Sequence, residues 1–432
     1  MYSMKGDIFM ENSKSTNKLF SKDFLLVVIG QIISIFGNQA LRFALPLYLL
    51  NVTGSAALFG IISACSFIPM IVLCPIGGII ADRINKRNIM VILDFSTAAL
   101  TLAIALLLGK VDIILLLLIS LIILYGIQGT YQPAVQASIP LLLDAEHIMQ
   151  GNAIINLVNS LASLIGTIIG GILYSTFGII TILYVSIGCF LFSAIMEIFI
   201  NIPYKKLEFK GNIFKIGLND LKESFKFIKH DKPIIWKVSL IISAINLFLS
   251  ALVIIGLPII VTQSLGFDSE LSNKLYGYAQ GAIGAGSLLG GLLAGILAKK
   301  IKAKHSPIML FLCMATLIPI GLSLNFVITP MISYIIILIS CVLMMTLAAL
   351  FSIQVMSYLQ ILTPENMLGK VISCAMCIGM CANPIGQAMY GSLFQVFKSC
   401  PYVPFYIATF VTFIICLVSR PLFNSIDEII KK

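Results

Sequence analysis

Long apolar runs separated by short polar breaks make up almost the whole of this chain. About twelve such runs follow one another, near 24–51, 55–81, 88–109, 112–136, 149–175, 179–202, 235–262, 273–298, 307–327, 330–354, 366–396 and 402–424. A helix crosses a bilayer in roughly 20 mostly apolar residues, so the pattern predicts an all-α membrane protein of twelve transmembrane helices.

The longest polar interval between runs, from about Asn201 to Ile234, is bounded by Pro203 and Pro233. It predicts a tail at 1–23, a six-helix bundle at 24–202, a linker at 203–234, a second six-helix bundle at 235–424 and a short tail at 425–432. Within the linker, Ile213, Phe214, Ile216, Leu221 and Phe225 recur at helical spacing among lysines. Such a helix suits an anionic leaflet, and its expected role is a tether between the bundles.

Two pairs of segments match across the halves. Gly77-Gly78-Ile79-Ile80-Ala81 ends the second run and Gly290-Gly291-Leu292-Leu293-Ala294 the eighth; Ile169-Gly170-Gly171 lies in the fifth and Ile385-Gly386-Gln387 in the eleventh. Each pair joins run n to run n+6. With six spans per half, the copies share one membrane orientation and form parallel repeats.

Composition strengthens the membrane reading. Hydrophobic residues make up 59% and charged residues 11%, against about a quarter charged in ordinary globular domains. Mean hydropathy is +1.05.

The net charge of +10 reflects lysines and arginines in the loops, which are retained on the cytoplasmic side of a membrane. Placing Lys5 to Lys22, Arg83/Lys86/Arg87, Lys205 to Lys237 and Lys299 to Lys304 together leaves Lys110, Lys274 and Lys398 opposite. Both termini are therefore expected in the cytoplasm. The polar opening from Met1 to Asp23 carries no apolar leader, and no nucleic-acid partner is needed to explain the charge. Lysine- and isoleucine-rich usage suggests a bacterial cell membrane.

Of ten cysteines, nine fall within the runs. Cys374 and Cys377 have ligand-like spacing but no histidine nearby, so packing thiols are expected and no metal site or cofactor. His147, His230 and His305 lie in loops, which argues against an enzyme. There is no phosphate-binding loop of the GxxxxGK[ST] form, and ATP drive is not expected.

Charged groups inside a span are costly and functional by default. Arg42, Asp94 and Glu197 qualify. Arg42 keeps its proton, so it must meet water, an acid or an anionic group. Asp94 stands about two turns beyond Arg87 and is expected to pair with a cytoplasmic cation or to support the gate there, with carrying a proton as the alternative. Glu197 is expected at the lipid interface of a peripheral helix, and is the second proton-coupling candidate.

Neutral polar residues also recur on single helical faces: Gln128, Gln132 and Gln136 in the fourth run, and Asn152, Asn156 and Asn159 in the fifth. Candidate cavity residues are Asn38, Arg42, Gln128, Gln132, Gln136 and Asn156 in the first half, with Asn246, Gln354, Tyr358 and Asn383 in the second. Met344, Met345, Phe351 and Met356 suit either an adaptable binding wall or a lipid-facing surface.

The segment Gly78-x-x-x-Asp82-Arg83-x-x-Lys86-Arg87 resembles the cytoplasmic loop signature of the major facilitator superfamily. Asn85 stands where a second glycine is usual and is expected to keep the turn, since asparagine tolerates positive φ. The resemblance implies that Gly78, Asp82, Arg83, Lys86 and Arg87 form a cytoplasmic gate, with Asp82 meeting the start of the eleventh helix.

The chain is further similar to the drug-efflux branch of macrolide and siderophore exporters. Phe43-Ala44-Leu45-Pro46-Leu47 leading to Thr53-Gly54-Ser55, Pro69, Pro133, Ala137, Glu146 to Asn152, and Pro364, Glu365, Gly369 and Lys370 carry that likeness. It implies a monomeric secondary transporter that exports a small hydrophobic or amphiphilic compound by exchange for protons, in contact with membrane lipids. Uptake, lipid or siderophore transport on the same fold, and a non-transporting sensor or scaffold, are the alternatives.

Overall fold

The computed structural model describes residues 21–143, 148–203, 222, 225–297, 302–326, 329–363 and 368–431, and among these no strand occurs. Twelve long helices follow one another: α1 (Lys22–Thr53), α2 (Ala56–Arg83), α3 (Lys86–Leu107), α4 (Ile113–Leu142), α5 (148–177), α6 (179–198), α7 (Pro233–Ser264), α8 (Ser269–Leu297), α9 (Ser306–Asn325), α10 (Pro330–Leu362), α11 (Leu368–Val396) and α12 (Val403–Lys431). The last helix runs on through most of the segment expected as a tail. The expected linker helix falls largely outside the described residues.

Helix boundaries follow local chemistry. Ser21, Ser55 and Asp112 cap α1, α2 and α4 by accepting the N–H of Phe24, Leu58 and Leu115, which satisfies amides that have no partner inside the helix. Helices α5 and α6 are separated by Gly178 alone, at φ 78. A side chain there would be strained, so glycine permits a reversal with no loop. Asn85 departs from expectation: its φ is −59, and it keeps the turn by capping α3, its Oδ1 accepting from Arg87 N–H at 3.0 Å.

The end of the molecule that holds the start of α1 is called proximal here. There Asp23 Oδ1 accepts from Asn201 N–H at the end of α6. Matching sequence segments occupy matching places. Gly77 of α2 fits against Thr130 of α4, and Gly290 of α8 against Thr346 of α10. Gly170 of α5 lies on Ala40 of α1, as Gly386 of α11 lies on Leu247 and Ala251 of α7. The duplicated glycines thus mark where helices approach too closely for a side chain.

The halves meet distally at two glycine pairs. A Cβ on Gly60 of α2 would stand 2.7 Å from Gly391 Cα of α11, and one on Gly171 of α5 would stand 2.7 Å from Gly277 Cα of α8. Beside these contacts the Phe43 and Tyr276 rings stack at 4.8 Å. Asn51 Nδ2 donates to Asn273 Oδ1 and to Tyr174 Oη, each at 3.1 Å.

Buried apolar residues show the same arrangement. One cluster joins Leu45 and Leu49 of the first half to Leu252, Ile255 and Phe394 of the second. Proximally the halves keep separate clusters, one around Phe24, Met90 and Ile139 and the other around Ile235, Phe351 and Phe423. Large apolar side chains such as Phe177, Leu292, Val396 and Phe410 face outward. Hydrocarbon is the solvent such a surface suits.

Among the described residues, nine helical stretches are apolar and long enough by composition alone to cross a membrane.

Candidate functional site

The polar residues of the first half converge on a cavity of about 200 Å³. Its wall comes from α1, α3, α4, α5 and α6, with Asn38, Gln39, Asp94, Gln128, Gln132 and Asn159 among the lining side chains. On α1 the positions Gln31, Ser34, Asn38 and Arg42 recur every three or four residues and so share one face. On α4, Gln128, Tyr131 and Gln132 do the same.

Arg42 meets this wall at its distal edge. Its Nη1 donates to Gln128 Oε1, and its guanidinium carbon sits 3.9 Å from the centroid of the Tyr125 ring. A cation over an aromatic face is attracted by the ring quadrupole. The half-buried arginine is thereby held, among the described residues, without an acidic partner.

The proximal edge of the cavity is a buried polar cluster. Tyr131, which is 5% exposed, donates its hydroxyl hydrogen to Glu197 Oε1 at 2.7 Å and accepts from Gln31 Nε2 at 2.7 Å. Ser34 Oγ donates to Asp94 Oδ1 at 3.0 Å. The Ser193 hydroxyl donates to the Gly30 carbonyl at 3.1 Å. One heptad along the same pair of helices, Ser186 donates to the Gly37 carbonyl. Glycines at 30 and 37 let α6 approach α1 closely enough for its serines to reach those carbonyls.

This placement corrects two expectations. Glu197 is fully buried against α1 and α4 rather than at a lipid interface. Its helix is pinned to α1 by the serine–carbonyl bonds, which turns the 193/197 face inward. Asp94 is 3% exposed and accepts from the Ser34 hydroxyl of α1, and among the described residues it pairs with no cytoplasmic cation. Two turns of α3 carry it away from Arg87, whose side chain donates to Asn88 Oδ1 instead of an acid.

Other candidates separate in the same way. Gln136 is exposed, below the cavity. Gln354 is a tie rather than a cavity residue: it accepts from Ser306 Oγ at 2.8 Å and donates to the Lys302 carbonyl at 2.9 Å. Tyr358 is buried in the proximal core of the second half. Asn246 donates to the Gly379 carbonyl at 3.2 Å, holding α7 to α11, and Asn383 accepts from Gln387 within α11. The side chains of Asn156, Gly78, Asp82 and Arg83 lie outside the described residues. Lys86 is buried at 9% exposure.

Met344 and Phe351 are core residues, with Phe351 packed edge-on to Phe423 at 5.9 Å. Cys313, Cys341, Cys374 and Cys416 are buried free thiols, whereas Cys74 and Cys381 are exposed.

Sequence reasoning missed Tyr131, Gln31 and Ser34. Tyr131 counts as apolar in a hydropathy pattern, yet it falls on the Gln128/Gln132 face, and that helical spacing was the available signal.

A family model described as Major Facilitator Superfamily matches residues 27–387. Macrolide efflux protein A of Streptococcus pyogenes is 22% identical over 367 residues, covering 84% of this chain and 87% of that protein. The enterobactin exporter EntS of Shigella boydii is 24% identical over 376 residues, covering 86% and 85%. A bacterial homologue of the human lysosomal transporter Spinster, solved in an inward-facing form, superposes with TM-score 0.69 at 13% identity, covering 96% of this chain and 98% of that one. At that identity the likeness is one of fold.

Proposed function

The chain belongs to the major facilitator superfamily and is a multi-pass membrane transporter with efflux-type relatives; from that premise we propose that it exports a small hydrophobic or amphiphilic compound in exchange for protons. The observation that carries the reading is the cavity in the first half. One edge offers amides and a guanidinium laid on an aromatic ring, and the other offers two buried carboxylates. The first suits a largely apolar ligand with a few polar groups. A carboxylate that gains and loses a proton changes its hydrogen bonding from acceptor-only to donor, so Asp94 and Glu197 can couple protonation to the packing of α1, α3, α4 and α6.

The transport cycle in this reading rocks residues 24–202 against 235–424, with both termini in the cytoplasm. The distal glycine pairs and the Asn51–Asn273 bond close the outer face. Asp82, with Gly78, Arg83, Lys86 and Arg87, closes the cytoplasmic face in the opposite state, as the loop signature implies. The working unit is a monomer that exchanges cargo and protons within the lipid.

Reconstituted vesicles test the proposal. An imposed pH gradient drives accumulation of a fluorescent amphiphile or a macrolide, and collapsing the gradient with an ionophore stops it. Transport indifferent to the gradient would remove proton exchange from the reading.

A further inference from the structure

Five buried side-chain oxygens have no hydrogen-bond partner among the described residues, and four of them belong to one cluster: Gln31 Oε1, Asp94 Oδ2, Asn159 Oδ1 and Glu197 Oε2. All four are acceptors. Gln31 and Glu197 are oriented from the two sides of Tyr131, and Asp94 and Asn159 line the cavity beside it. That hydroxyl has one hydrogen, which goes to Glu197, so its lone pairs must take the Gln31 amide N–H. The Gln31 carbonyl is thereby left without a donor, on a residue with no exposed surface.

Buried polar atoms ordinarily find partners, and a set with acceptors only calls for something electropositive. Asp94 and Glu197 come from α3 and α6, Gln31 from α1 and Asn159 from α5, and α4 contributes only the neutral Tyr131. Among the described residues, no basic side chain pairs with Asp94 or Glu197. Arg42, three turns along α1, is already engaged by Gln128 and Tyr125. Among the described residues the cluster thus carries two carboxylates with no paired cation.

We propose that this cluster is a binding site for a hard divalent metal cation of calcium size, held by the oxygens of Asp94, Glu197, Gln31 and Asn159. Such cations take about 6–8 oxygen ligands from carboxylates, amide carbonyls and water, and a dication balances both carboxylates where a monovalent ion balances one. Bound there, it ties α1, α3, α5 and α6 together. The donors are amide and carboxylate oxygens scattered over four helices, so cysteine and histidine spacing gives no sign of the site. The inference goes beyond proton exchange. Protons and the cation compete for the same carboxylates, and each can be tested without the other.

The experiment titrates the purified full-length protein in detergent, stripped with a chelator, with CaCl2, MgCl2 and NaCl in separate arms, by calorimetry and by thermal unfolding. Saturable one-to-one heat with calcium and a raised unfolding temperature are expected, with both effects reduced when the buffer is acidified. Asp94→Asn and Glu197→Gln should each weaken calcium binding about tenfold or more, and Asn159→Ala about tenfold, on the scale seen when groups around a metal are lost. Asn159→Ala leaves the Tyr131 hydrogen bonds intact and serves as the folding control, checked by elution volume. Absence of calcium binding, response to sodium alone, or calcium binding that survives all three substitutions overturns the proposal. Gradient-driven transport that continues in calcium-free vesicles leaves the proton reading standing whichever way the titration falls.

Discussion

The Tyr131 hydroxyl and Glu197 Oε1, 66 residues apart in sequence, are joined by a 2.7 Å hydrogen bond wholly inside the first half. It fixes α4 against α6, and through Gln31 it fixes both against α1. Tyr131→Phe keeps the ring and removes the bridge. The loss strands a buried amide donor and should cost about 1–3 kcal/mol of stability, read as a lowered unfolding temperature in detergent, with a larger loss in transport than Gln136→Ala produces at an exposed position of the same helix.

Asp94→Asn and Glu197→Gln remove the ability to exchange a proton while preserving most of the shape. Each variant should lose accumulation driven by a pH gradient. Exchange of labelled for unlabelled cargo at equal pH should persist, because it needs cavity movement but no net proton transfer. Retention of full gradient-driven accumulation in both variants would exclude these carboxylates as the carriers.

Arg42→Lys tests the distal edge of the cavity. An ammonium keeps the charge but lacks the flat guanidinium that both lies on Tyr125 and reaches Gln128. The lost ring contact should cost about 1 kcal/mol of stability, read as a lowered unfolding temperature in detergent, together with weaker competition binding of the fluorescent amphiphile.

Gly60→Leu introduces a side chain whose first carbon meets the Gly391 backbone. Neither backbone can yield, so the distal contact should open. A cysteine placed at Asn51, in a background with Cys74 and Cys381 replaced, should label faster with a membrane-impermeant thiol reagent when Gly60→Leu is present. Unchanged labelling would show that the α2–α11 contact does not govern closure.

Much of this arrangement was readable beforehand because it depends on local rules. Apolar run length gave twelve helices, and the paired glycines became paired helix contacts. Asn38, Asp94, Gln128 and Gln132 do come together. What the runs did not reveal is direction around each helix axis once helices are bundled. Glu197 has the depth of an interfacial residue and the azimuth of a buried one, and only the Ser186 and Ser193 bonds to α1 decide between them. Gln354 and Tyr358 fail for the same reason, since their faces turn toward Ser306 and the second-half core rather than the central path.

Helix α1 carries Gln31 at one end of an uninterrupted stretch and Phe43 at the other, with its proline only later, at Pro46. At 1.5 Å per residue the two lie about 18 Å apart on a single rod. Gln31 bonds the tyrosine that holds Glu197, and Phe43 rests on Tyr276 of the opposite half. In the proposed cycle, a small tilt of that rod at the carboxylate end would arrive as a sideways push on the seam between the halves, so that one helix would serve as both the detector and the lever of the machine.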